Sequence, residues 1–185
     1  MKSWNTSAQD PLVETIASLI GRGGRALDVG AGQGRDARYL ASHGFEVVAT
    51  EYDTEATAVL AEHCRDQPHI TTITADILTY QPGQTFEAVV CDMVLHFMPH
   101  ATAVQRAVAN LQAWTKPGGY QAVMAYTSRN PAGKRPYLFA PGELAGYYQG
   151  WEILDYREEP TPWFQLPGET APRRNEAVYL LARKH

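Results

Sequence analysis

Apolar and polar positions alternate along the chain in two rhythms, one close to four and one close to two. Asp10 and Pro11 precede the apolar-periodic stretch PLVETIASLI, and Gly21 follows it, so a first helix is predicted with an N-cap, a first-turn proline and a terminating glycine. RALDV, from Arg25, reads as a short strand running into glycines, and the segment from about Gly34 to Gly44 as a helix closed by a residue suited to a left-handed cap. The order then recurs: FEVVAT is a strand, TEATAVLAEHC a helix, ITTITA and FEAVVC strands, TAVQRAVANLQAW a helix and YQAVMAY a strand. KPGG, Lys116 to Gly119, is a type II turn delivering the chain into that fifth strand. After it come a proline-rich loop, a short helix PGELAGYYQ, and two strands, WEILDYRE and EAVYLLAR, close enough in sequence to pair antiparallel.

Strands alternating with helices predict an α/β fold with a doubly wound, mostly parallel seven-stranded sheet. The expected order is 3-2-1-4-5-7-6 with the last strand antiparallel. Strand three at the edge and strand four beside strand one demand a crossing of three gaps and one strand length, a diagonal of about 22 Å. The nine residues Ile77 to Thr85 span about 30 Å when extended, so a helix-free crossing is predicted, in extended chain.

At 185 residues one domain is expected. Its parts are an N-terminal helix with a flap (1–24), a cofactor-binding core (25–127) and a substrate-side C-terminal region (128–185). Sixteen Lys and Arg against twenty Asp and Glu, a formal charge of -4, argue against a nucleic-acid partner. Cys64 and Cys91 have neither disulfide-framework nor zinc spacing, so no metal is expected and a reducing cytoplasm fits. Asp10 and Glu14 interrupt any secretory apolar region, and no run reaches membrane-spanning length.

The chemistry is concentrated in Gly30-Ala31-Gly32-Gln33-Gly34, between a strand and a helix, with Glu51 twenty-one residues after Gly30 at the end of the second strand. Glycines there permit a tight turn and close backbone approach, the helix start offers N–H groups to an anion, and Glu51 can accept from two ribose hydroxyls. A nicotinamide or flavin dinucleotide and S-adenosylmethionine compete for such a loop. Arg35 stands where a dinucleotide loop has its third glycine, and the length leaves little room for a dehydrogenase's substrate domain. Asp76 can accept from an adenine amine lying between Tyr52 and Ile77. All three features favour S-adenosylmethionine.

LDVGAGQG, the acid after the second strand, ADIL and KPGG resemble, in order from Leu27 to Tyr126, the four landmarks of the Rossmann-like S-adenosylmethionine-dependent methyltransferases. FAPGELAGYYQGWEILDYREE and LLARK are similar to the C-terminal half of the tellurite-resistance methyltransferases. The resemblance implies S-adenosylmethionine as cofactor, a small-molecule acceptor and methyl transfer at a sulfur, selenium, tellurium or oxygen centre. Where that group carries a polar His-Arg pair, this chain has Trp163, Phe164 and Gln165, a departure that speaks against an oxyanion substrate. A short NAD(P)-binding oxidoreductase and a non-catalytic, methyltransferase-like regulatory module are the alternatives.

Candidate cofactor residues are therefore Asp28, Gly30, Ala31, Gly32, Gly34, Arg35, Glu51, Tyr52, Asp76, Ile77 and Cys91. A buried Asp28 is best explained by the cofactor's amino group, since unpaired burial is costly. Arg35 is either a solvated residue or a fork for the methionine carboxylate. On the substrate side stand His96, the candidate catalytic base, and Tyr126, both at strand ends. Trp4 is a loose terminal residue or a flap, Trp163 and Phe164 a lid or part of the core, and Arg173 and Arg174 an anion site or solvated. Nothing in the sequence specifies the oligomeric state.

Overall fold

The computed structural model describes residues 10–21, 23–130, 135–162 and 170–185. Asp10 caps α1 (Pro11–Ile20) by accepting from the Leu12 N–H at 2.7 Å, and Gly21 ends it with φ +80°. Then follow β1 (Arg25–Val29), α2 (Arg35–Ser42), β2 (Glu46–Glu51), α3 (Thr54–His63), β3 (Ile70–Thr74), β4 (Phe86–Asp92), α4 (Ala101–Trp114), β5 (Thr115–Tyr126), α5 (Glu143–Gly146), β6 (Trp151–Pro160) and β7 (Glu176–Lys184). The strands form one sheet in the order β3-β2-β1-β4-β5-β7-β6, as expected, with β7 antiparallel to both of its neighbours. Among the described residues, no helix is long and apolar enough to cross a membrane.

Side chains alternate across each strand, so the sheet carries one apolar layer on either face. Ala26, Val47, Ala49, Ala88, Val90 and Ala122 pack beneath α1, α2 and α3 with Ile16, Leu40 and Leu60. Leu27, Phe86, Val89, Cys91 and Val123 pack on the other face against Val104, Val108 and Leu111 of α4 and Leu144 of α5. A buried hydrogen-bonded chain fastens that second layer: Tyr148 Oη donates to Gln121 Oε1, Gln121 Nε2 to Thr115 Oγ1, and Thr115 Oγ1 to the Leu111 carbonyl. Lys184 Nζ, from β7, donates to the carbonyls of Gln112 and Thr115 at 2.7 Å each, satisfying acceptors at the end of α4.

Three local expectations are corrected. KPGG lies inside β5 rather than before it: Phe86 pairs with Thr115 and Ala88 with Tyr120, so the turn bulges out of a strand already paired. Gly118 supplies the positive φ, +77°, and a side chain on Gly119 would meet three backbone carbonyls at 2.9 to 3.1 Å. The crossing from β3 to β4 is helix-free but opens with one turn, in which Thr79 and Tyr80 donate to the Asp76 carbonyl. The short helix is only one turn long; Tyr147 and Tyr148 continue it with i to i+3 bonds, which turn the Tyr148 ring into the core.

Tyr148→Phe should destabilise the chain by about 1 to 3 kcal/mol, because the Gln121 carbonyl loses its buried donor. Urea unfolding measures this, and a loss within error of zero would show that the chain from Leu111 to Tyr148 holds nothing.

Candidate active site

The parallel strands β1 to β4 end on one rim, and the sequence places its polar residues there. Val29 lies beside Thr50, and Glu51 beside Thr74, so the glycine loop, Glu51 and Tyr52, and Asp76 and Ile77 leave adjacent strand ends. Gly30 and Ala31 donate to the Thr50 carbonyl at 2.8 and 2.9 Å, which folds the loop back over β2. The three glycines serve different ends. At Gly30 (φ +70°) a β-carbon would stand 2.3 Å from Val94 Cγ2, and at Gly34 (φ +78°) 2.6 Å from Cys64 Sγ. Both are fixed by packing. At Gly32 (φ +58°) a β-carbon would meet nothing within 4 Å, so this is the glycine that faces open space.

Glu51 Oε1 accepts from the Gly32 N–H at 2.9 Å and Oε2 from the Tyr52 N–H at 3.1 Å, holding the carboxylate at the mouth of the loop. Tyr52 is 75% exposed and Ile77 buried, an open ring and an apolar floor at the same rim. Asp76 is half-buried and accepts from the Leu78 N–H at 2.8 Å, which leaves its second oxygen free of that role. Cys91 is fully buried in the layer under α4, and burial pushes its thiol well above the ordinary range.

The loop's other side is charged. Arg35 donates through Nε and Nη2 to Asp36 at 2.9 and 3.1 Å and through Nη2 to Asp92 at 2.6 Å. Its fork is thus engaged by protein carboxylates. Asp28 is almost wholly buried beside them, with the Ala37 N–H directed at it, so the positive end of α2 already faces an acid. Asp28 Oδ2 and Asp92 Oδ1 are buried without a hydrogen-bond partner. Burial, and after it the neighbouring carboxylates, raise Asp28 well above the usual range; burial and Asp36 push Asp92 up to about 8. Sequence reasoning missed Asp36 and Asp92. A polar residue closing the apolar run FEAVVC was the available signal for Asp92.

On the substrate side, the chain leaves β4 through Met93, whose φ of +60° is unusual for a side-chain-bearing residue, into a 3-10 turn, Leu95–Phe97. His96 is buried there, its ring 4.3 Å from the Tyr126 ring, and Nδ1 accepts from the Tyr126 N–H at 3.4 Å. Burial and then the Arg135 charge lower its pKa to about 3, so it is a neutral imidazole with its proton on Nε2. Arg135, Thr127 and Asn175 surround Tyr126 and were not foreseen. Arg173 is half-buried and Arg174 exposed. Trp4, Trp163, Phe164 and Gln165 lie outside the described residues.

Strand order, a reversed β7 and a glycine loop opening on the β1–β2 rim define the Rossmann-like fold of the class I methyltransferases. The comparisons narrow this. A family model described as tellurite resistance protein TehB matches residues 2–165, and the chain belongs to that family. It is 29% identical over 161 residues to a protein of Haemophilus influenzae named as a probable S-adenosyl-L-methionine-dependent methyltransferase TehB, covering 85% of this chain and 56% of that one. It is 29% identical over 185 residues to hemagglutinin 1 of Eikenella corrodens, covering 96% and 59%. The crystal structure of TehB from Haemophilus influenzae superposes with a TM-score of 0.85 at 28% identity, over 98% of this chain and 64% of that one. The chain thus spans somewhat more than half the length of the curated relatives it matches.

Gly30→Ala should cost about 2 to 4 kcal/mol from the clash with Val94 and the left-handed φ, whereas Gly32→Ala should cost about 1 to 2 kcal/mol from φ alone. Denaturant titration of both variants tests this, and equal losses would mean that the loop is not seated over Val94.

Proposed function

We propose that this chain is an S-adenosylmethionine-dependent methyltransferase acting on a small-molecule acceptor at a soft sulfur, selenium or tellurium centre, or at an aromatic hydroxyl, with organic acceptors preferred to tellurite. The observation that carries the reading is a single mouth formed by Gly32, whose α-carbon faces open space, and Glu51, whose carboxylate spans the Gly32 and Tyr52 amides. The buried, unpartnered oxygens of Asp28 and Asp92 behind it suit a cationic group.

These residues fit the cofactor. Glu51 would accept from its ribose, Asp76 from its adenine amine between Tyr52 and Ile77, and Asp28 from its amino group, with Gly30, Ala31 and Gly34 shaping the loop. Arg35 acts from behind, holding Asp92 and Asp36 rather than reaching for the methionine carboxylate. Cys91 supports the site from the core below. When bound, the sulfonium supplies an electrophilic methyl group. The chain's own task is to align the nucleophile and exclude water.

His96 lines that path as a wall and an Nε2 hydrogen-bond donor. A base with a pKa near 3 removes no proton at neutral pH, so the site favours an acceptor that presents a lone pair or arrives ionised, such as a thiolate or selenolate. The half-exposed Phe97 ring offers a polarisable face to such an acceptor, while the buried Tyr126 backs His96 from behind. Trp4, Trp163, Phe164, Arg173 and Arg174 complete the proposed substrate side.

Calorimetry with S-adenosylhomocysteine tests the cofactor, and methylation of a thiol and of tellurite at equal cofactor concentration tests the acceptor. Binding with turnover of the thiol is expected. Selective binding of a nicotinamide dinucleotide, or cofactor binding without turnover of any acceptor, would replace this reading by one of its rivals. Glu51→Ala should weaken cofactor binding by about 2 to 4 kcal/mol, two charge-assisted bonds at a partly exposed site. An unchanged affinity would put the ribose elsewhere.

Binding should also release a proton at pH 7. A cation arriving beside Asp28 and Asp92 favours their ionised forms, and Asp92, raised to about 8, holds its proton before binding. The release shows as a dependence of the binding enthalpy on buffer ionisation enthalpy, and it should fade above about pH 9 and in Asp28→Asn. The same shift makes the stability contributed by Asp92 complete below the ordinary carboxylate range and lost as pH rises through 8. Buffer-independent enthalpies at pH 7 would separate the acids from the bound cation.

A further inference from the structure

Arg135 is a substrate-side charge that meets no carboxylate among the described residues. Its guanidinium lies over two rings, 5.0 Å from the Phe97 centroid and 5.6 Å from that of Tyr126. Among the described residues it forms no ion pair, and its Nε is buried without a hydrogen-bond partner. Burying an unpaired donor of a charged group costs about 1 to 3 kcal/mol or more. The corner around it is polar in the same unfinished way: Thr127 Oγ1 and Asn175 Oδ1 are also buried without a partner. The Tyr126 oxygen accepts from both Asn175 and Arg135, which leaves its own hydrogen to donate. Unsatisfied polar atoms are rare in folded chains, and several gathered around Tyr126 mark a place shaped for a polar group that comes from outside.

We infer that Arg135 is a specificity residue that binds a carboxylate carried by an organic methyl acceptor, whose planar or apolar body lies against Phe97. Three observations select this class. The planar guanidinium fork matches a carboxylate two bonds at a time. Phe97 is 51% exposed although it is a large apolar ring, so the arginine is bordered by a surface that an organic body can cover. Neighbouring His96 is neutral, so the positive charge in this corner comes from arginines, Arg135 over the rings and Arg173 near Tyr126. The Tyr126 N–H to His96 bond and the His96–Tyr126 stack join this corner to the end of β4, where transfer would occur under the proposed function. The inference rests on that reading for the identity of the reaction, but carboxylate recognition by Arg135 is testable without turnover.

Calorimetric titration with 2-mercaptobenzoate and with its neutral counterpart 2-mercaptobenzamide, each with and without S-adenosylhomocysteine, measures the recognition. The parent chain should bind the carboxylate about 10- to 100-fold more tightly than the amide, the range of a charge-assisted bond pair. In Arg135→Gln that ratio should fall to within about threefold of unity, and Arg135→Lys, which keeps the charge and loses the fork, should give an intermediate ratio. Circular dichroism of each variant checks that the fold persists. Equal binding of acid and amide by the parent, or a ratio preserved in Arg135→Gln, would overturn the inference, as would tellurite displacing 2-mercaptobenzoate at lower concentration than any carboxylate. Failure of S-adenosylhomocysteine to bind would instead strike the methyltransferase reading and leave the acid-to-amide ratio to decide Arg135 alone.

Discussion

The open rim is organised around one arginine gathering acids whose ionised forms burial and mutual proximity disfavour. Arg35 stands at the start of α2, donates to Asp36 on its own helix and reaches Asp92 at the end of β4. Two acids thus share one guanidinium, with Asp28 buried nearby in its field. Such a cluster is costly to bury and gives little net stability, since desolvation offsets most of the attraction. What it does give is registration. Arg35 ties the end of β4 to the first turn of α2, beside the buried acid of β1, and that juncture lies behind the glycine loop.

The same rim is rigid below and open above. Packing holds the loop's two outer glycines, one against Val94 and one against Cys64, while the middle glycine and Glu51 face outward. Met93 takes a left-handed conformation so that the chain can leave β4, pass beneath Gly30 and bury His96 within a few residues. Strain at Met93 and closeness at Gly30 are therefore two sides of one constraint: the segment after β4 must be tucked under the loop for the site to have a floor.

Much of this was legible in the sequence because it is local. The cap at Asp10, the strand–loop–helix order around Gly30 and the acid closing β2 are patterns read within a few residues, and the chain length allowed the helix-free crossing that an edge position of β3 requires. The misplacements have a common physical source in pairing across the sheet. KPGG carries a turn's residues and does turn, yet the residues before it are already paired with β4, so the strand begins earlier than its apolar run. Cys91 sits at a strand end beside the rim, but the alternation of side chains turns it into the α4 layer while its neighbour Asp92 faces Arg35. Arg135 gave no signal, because the rings beneath it, Phe97 after β4 and Tyr126 at the end of β5, are distant in sequence and meet only when those strands pair.

His96 shows how the assembled context reassigns a residue that the sequence offers correctly. As a histidine after a strand it is a natural candidate base, with an ordinary pKa near neutrality. Stacked on Tyr126, receiving a backbone N–H at Nδ1 and facing the positive charge of Arg135, its protonated form is disfavoured by burial and by repulsion together. The ring is thereby fixed in one tautomer, with a donor on Nε2 and nothing left to accept a proton. Under the proposed function, a neutral donor there can help to orient an acceptor, whereas a base would be needed only for an acceptor that keeps its proton. Under the proposed function, the burial of His96 would thus favour acceptors that arrive with no proton to lose.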